Sequence, residues 1–95
     1  SFQYPEPRLE AEILVSETGV NPDIAAKLVH IGNKIRNLKE LGLTETVSTR
    51  LLVDAAKLIH TGLPRRLSVR VAVVEPLSDD PDILAALTDL CDLMI

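Results

Sequence analysis

The chain has 95 residues, enough for one small domain, and is 46% hydrophobic with no Trp, one Phe and one Tyr. A core of that kind is built from Leu, Ile, Val and Ala, which suits helices packed on helices. A formal charge of -4 argues against a general nucleic-acid binder, and one cysteine, Cys91, excludes an internal disulfide and a Cys-rich metal site.

The opening stretch, Phe2-Gln3-Tyr4-Pro5-Glu6-Pro7, reads as chain entering from elsewhere. With Ser1 in place of Met, the chain is expected to be a piece of a longer protein, with residues 1–7 an entry segment and 8–95 a helical domain. Pro7 opens a first helix over about 8–18, closed by Gly19. Asn21-Pro22 is a cap followed by proline at the first helical position. The second helix is predicted to run to about Leu41 and to end at Gly42. Its residues Ile24, Leu28, Ile31, Ile35 and Leu38 step by four and three, which makes one apolar stripe. Gly32 inside that helix costs ~1 kcal/mol against Ala, a cost that the close approach of a neighbouring helix would explain.

A third helix begins at "VSTRLLVDAAKLI", with Ser48 as N-cap, and ends at Thr61 before Gly62. Leu51, Leu52, Ala55, Ala56, Leu58 and Ile59 form its buried face; Arg50, Asp54, Lys57 and Thr61 lie opposite. The fourth segment, "PRRLSVRVAVV", is mixed. Val69, Val71 and Val73 alternate like a strand, but the Pro64 start and the short length favour a helix, one that stops near Val74 because Pro76 disfavours helix at Glu75. Asp80-Pro81 repeats the cap-plus-proline device, and the last helix turns Ile83, Leu84, Leu87, Leu90, Cys91 and Met94 inward. The expected fold is all-α, a compact bundle of about five helices.

Arg50 is the residue that needs explaining, because a helix N-terminus is already partly positive. Two readings fit. It pairs with Asp54 four residues on, worth only ~0.2–0.5 kcal/mol. Or it joins the first-turn N–H groups in holding an anion. Other polar residues read more plainly. His30 and His60 sit one per helix without metal-ligand spacing and are expected to be structural, and Cys91 belongs to the core. Glu75, Asp79, Asp80 and Asp82 form an acidic cluster that could suggest a divalent cation, but three of the four surround a helix start, where acids cap and complement the dipole, so no metal site is expected. Four basic residues and no acid fall between Lys57 and Arg70; six acids and no base follow from Val71 onward. That split reads either as two solvated faces or as a docking surface. A helix-turn-helix with Arg65, Arg66 and Arg70 on DNA is disfavoured by the acidic total. No phosphate-binding glycine loop and no nucleophile-base pair is found.

"VSTRLLVDAAKLI", "GLPRR" and "EPLSDDPDILAAL" together resemble the C-terminal region of MoxR-type AAA+ ATPases, and within them the CbbQ/NirQ/NorQ subfamily. The resemblance covers nearly the whole chain. It implies that the chain is the helical lid that follows an αβα nucleotide-binding core. The family's Ser-Thr-Arg motif maps onto Ser48, Thr49 and Arg50, and makes Arg50 the sensor-2 residue that reaches the γ-phosphate of ATP. It also implies ATP and Mg²⁺ as cofactors of the longer protein, a homo-oligomeric ring, usually a hexamer, and a partner with a von Willebrand factor A-type domain. Clients of the family include rubisco and nitric oxide reductase. Walker A and B, sensor 1 and the arginine finger are missing from these 95 residues, so hydrolysis by this chain alone is not expected. The expected setting is the cytoplasm, without membrane or nucleic acid. The competing expectation is a stand-alone helical interaction module that never meets a nucleotide.

Overall fold

The cap-plus-proline signals start helices where the spacing predicts. In the computed structural model, which describes residues 3–38 and 46–95, the Asn21 side chain accepts from the Asp23 N–H at 2.8 Å and α2 follows as Pro22–Arg36. Asp80 accepts from the Asp82 N–H at 2.8 Å, and α5 follows as Pro81–Met94. Each proline sits in a first turn, where its missing N–H would have no helical partner. α1 spans Pro7–Thr18 and closes on Gly19, whose φ of 78° is the left-handed conformation that glycine adopts without a Cβ clash. α3 spans Thr49–His60, with the Ser48 hydroxyl accepting from the Leu51 N–H at 3.3 Å. α4 is the short helix Arg65–Val69.

The molecule measures 33 × 33 × 18 Å, which is about two helix diameters thick. α1 packs on α2 and α3, and α3 also packs against α2 and α4. α5 closes the bundle against α2 and α4. Leu14, Leu28, Ile31, Ile35, Leu52 and Leu87 are fully buried where these helices meet. α3 comes close to α2 at Gly32: a Cβ built there would lie 3.0 Å from Leu52 Cδ1 of α3. Among the described residues there is no strand.

Two boundaries differ from those the sequence predicts. α2 stops at Arg36 rather than near Leu41; Leu41 and Gly42 themselves lie outside the described residues. Asn37 ends the helix by turning its own side chain back to donate to the Asn33 carbonyl at 2.9 Å, competing with the backbone ladder. The Leu38 N–H then closes a tight turn onto the Ile35 carbonyl at 2.9 Å.

The second difference lies after α4. The chain continues as a π-helical turn over Arg70–Val74 and a 3-10 turn over Glu75–Leu77, so Glu75 keeps helical dihedrals (φ -58°, ψ -36°) ahead of Pro76. In an α-helix the Pro76 ring would press on the carbonyl four residues back. The wider π turn, in which the Glu75 N–H reaches the Arg70 carbonyl, opens that spacing before the proline. Val69, Val73 and Val74 are thereby buried while Val71 faces outward.

Candidate functional site

The first turn of α3 is held from three sides. Thr49 donates its hydroxyl to Glu10 Oε2 of α1 at 2.8 Å. Glu10 also accepts a two-pronged hydrogen bond from Arg36, the last residue of α2: Nη1 to Oε1 and Nη2 to Oε2, both 2.8 Å. Arg36 Nε donates to the Val47 carbonyl at 2.8 Å, and Nη1 donates to Asn33 Oδ1 at 2.9 Å. The guanidinium lies 3.7 Å from the centre of the Tyr4 ring, and the Tyr4 hydroxyl is 2.8 Å from the Thr46 hydroxyl. The side chains of Arg36 and Glu10 are 5% and 0% exposed.

Burying a carboxylate and a guanidinium is costly unless each is paired and its remaining donors and acceptors are used. That condition is met, and among the described residues no buried side-chain nitrogen or oxygen lacks a partner. Burial pushes the Glu10 carboxyl up. The hydrogen bonds from Arg36 and Thr49 and the Arg36 charge outweigh it, so its pKa falls below the ordinary carboxylate value.

Arg50, next to Thr49, is arranged differently. Its side chain is 79% exposed, and its Nε lies 3.4 Å from Asp54 Oδ1, a long contact in solvent. Such a pair is worth little. Ser48 and Thr49 have their side chains engaged within the protein, one capping α3 and the other reaching Glu10 of α1. Of the three residues singled out by sequence, Arg50 is the one whose functional group is turned to solvent, at the positive end of a helix.

The other candidates are scattered. Cys91 is buried, and burial together with the neighbouring Asp92 pushes its thiol up to about 11. The His60 ring covers Gly19, lying 3.3 Å from where a Cβ there would stand. Exposed His30 joins Ala11, Val15, Ala26 and Val29 along an open groove of about 650 Å³ between α1 and α2. Among the described residues no three His, Cys, Asp or Glu side chains are grouped so as to hold a metal ion, and no helix is long and apolar enough to cross a membrane.

The Glu10–Arg36 pair is what sequence reasoning missed. The clue was present. Glu10 is four residues before Leu14, and Arg36 is four after Gly32 and seven after Val29, so each charge lies on a buried helical face. Two opposite charges on two apolar faces point to a buried pair.

Comparison with known proteins agrees on one group. Residues 10–94 match the model of the CbbQ/NirQ/NorQ C-terminal family. The chain is 48% identical over 94 residues to the denitrification regulatory protein NirQ of Pseudomonas aeruginosa, covering 99% of this chain and 36% of that protein. It is 44% identical over 86 residues to the protein CbbQ of Hydrogenophilus thermoluteolus (90% of this chain, 32% of the relative). To the protein NorQ of Paracoccus denitrificans it is 43% identical over 89 residues (94% and 33%). The chain thus spans about a third of the length of these curated relatives. A helical domain with this match along nearly all of its length belongs to the CbbQ/NirQ/NorQ family and corresponds to its C-terminal domain.

Proposed function

We propose that this domain is the lid of an AAA+ ATPase and that Arg50 is its sensor-2 residue, reaching the γ-phosphate of bound ATP. The observation that carries this reading is the contrast within one helical turn. Thr49 is anchored inward, whereas the Arg50 guanidinium is exposed and, among the described residues, held by a 3.4 Å contact to Asp54. An anionic phosphate would replace that weak pair with a charge-assisted fork and would complement the helix dipole. Arg50 therefore fits the phosphate end of ATP. In this reading the Mg²⁺ ligands and the adenine pocket belong to a preceding core domain.

In this reading the longer protein couples ATP hydrolysis to activation of a client enzyme, within a ring of identical subunits and with a von Willebrand factor A-type partner. The relative NirQ of Pseudomonas aeruginosa is a denitrification regulatory protein, which supports a role in denitrification, and the family resemblance implies clients of the nitric oxide reductase or rubisco kind. Calorimetric titration with Mg·ATP separates the lid from a stand-alone module. A chain of the relatives' full length is expected to bind in the micromolar range, and the 95-residue chain to bind far more weakly. Micromolar binding by the 95 residues alone, or none by the long chain, would overturn the reading.

A further inference from the structure

We propose that the Glu10–Arg36–Thr49 network is the positioning device for Arg50. It ties the entering segment and the first two helices to the base of the arginine, so that the guanidinium is presented from a fixed point. The proposal rests on the reading of Arg50 as a phosphate contact.

The side chain of Arg50 is long and almost free in solvent. What the protein controls is where its backbone sits. Three residues in the four before Arg50 are fixed independently of the N-cap: Thr46 by the Tyr4 hydroxyl, Val47 by Arg36 Nε through its carbonyl, and Thr49 by Glu10 through its hydroxyl. A helix start needs only its cap, which Ser48 already supplies. The added anchors come from three different parts of the chain: the segment before α1, α1 itself, and the end of α2. A movement of the entering segment relative to anything before it would therefore carry the first turn of α3 along as one body. Buried ion pairs are poor stabilisers compared with well-packed apolar side chains, but their fixed directions specify geometry. Here the specified geometry is that of residues 46–49, immediately beneath Arg50. The same groups reach the surface groove through Asn33, which orients Arg36 and lines the groove.

The test compares Thr49→Val with Thr49→Ser in the chain of the relatives' full length, on both wild-type and Arg50→Ala backgrounds. Valine keeps the shape and removes the donor; serine keeps the donor. Misplacing a catalytic contact by about 1 Å costs up to ~10²-fold, so Thr49→Val is expected to lower kcat by about tenfold with KM for ATP within about twofold. Thr49→Ser should restore kcat to within about twofold of wild type. On the Arg50→Ala background Thr49→Val should add no further loss, since nothing remains to position. Arg36→Lys, which keeps the charge but loses the fork and the Val47 bond, should behave like Thr49→Val and covers the case in which valine unfolds the domain. In the 95-residue chain, amide exchange in Thr49→Val should quicken at residues 49–52 and stay unchanged in α5. Loss of rate in Arg50→Ala with wild-type kcat in both Thr49→Val and Arg36→Lys would overturn the positioning role alone. Equal losses on both backgrounds would also overturn it, by showing a merely structural effect. Wild-type kcat in Arg50→Ala would overturn the phosphate reading and the positioning role with it.

Discussion

Residues 10 and 36 carry the largest single-residue penalties expected in the molecule. Removing one member of a buried pair strands the other charge, so Glu10→Ala and Arg36→Ala should each cost ~3–5 kcal/mol of stability, measurable by urea unfolding. A cost below ~1 kcal/mol would mean that water takes the missing partner's place. The same pair predicts a pH dependence. Because the folded-state pKa of Glu10 is depressed below 4.5, its stabilisation is complete above that value and is lost as the pH falls through the lower folded value. The melting temperature should therefore hold from about pH 7 to 5 and decline below about pH 4.5, and Glu10→Gln should decline less steeply. Equal slopes would remove Glu10 from the account. Arg50 was legible in the sequence because a cation at a helix start breaks a local rule. Glu10 and Arg36 break a rule only once both helix faces are drawn and set against each other, and their separation of 26 residues hides the pair from any local spacing.

At the scale of elements, start signals were read more reliably than stops. Asn21-Pro22 and Asp80-Pro81 act within one turn, and so does Ser48. The end of α2 depends on Asn37 folding back onto Asn33, where any of several polar residues before Gly42 could have served. The segment before Pro76 settled into a π turn because a proline tolerates a helical neighbour when the preceding turn is wide, a choice the valine alternation does not reveal. Gly32 shows a helix-helix contact read correctly from one residue. An alanine there gains ~1 kcal/mol of helix propensity but presses on fully buried Leu52, and overpacking costs ~1–3 kcal/mol. Gly32→Ala should therefore lower stability by about 1 kcal/mol net, and a raised melting temperature would show that Leu52 yields. On α5, Cys91 stays protonated at neutral pH with a thiol pushed up to about 11, and should resist alkylation until the domain unfolds. Rapid labelling of the native chain would contradict its place in the core.

At the scale of the whole molecule the basic stretch touches the acidic one through a backbone group: Arg66 Nη2 of α4 donates to the Asp92 carbonyl near the end of α5 at 3.0 Å. Arg65 and Arg70 remain exposed, as do Asp79, Asp80, Asp82 and Asp89. The bundle thus presents the exposed Arg50 at the N-terminus of α3, braced from below by a buried ion pair. The direct measurement of that account is ATP turnover by Arg50→Ala in the chain of the relatives' full length, beside Asp54→Ala. Loss of one electrostatic contact to developing charge predicts a fall of ~10²-fold or more in hydrolysis for Arg50→Ala, with an unchanged or slightly raised melting temperature, and a mild effect for Asp54→Ala. Wild-type turnover in Arg50→Ala, with stability changed by only a few tenths of a kcal/mol as in Asp54→Ala, would contradict it and reduce Arg50 to a surface ion pair.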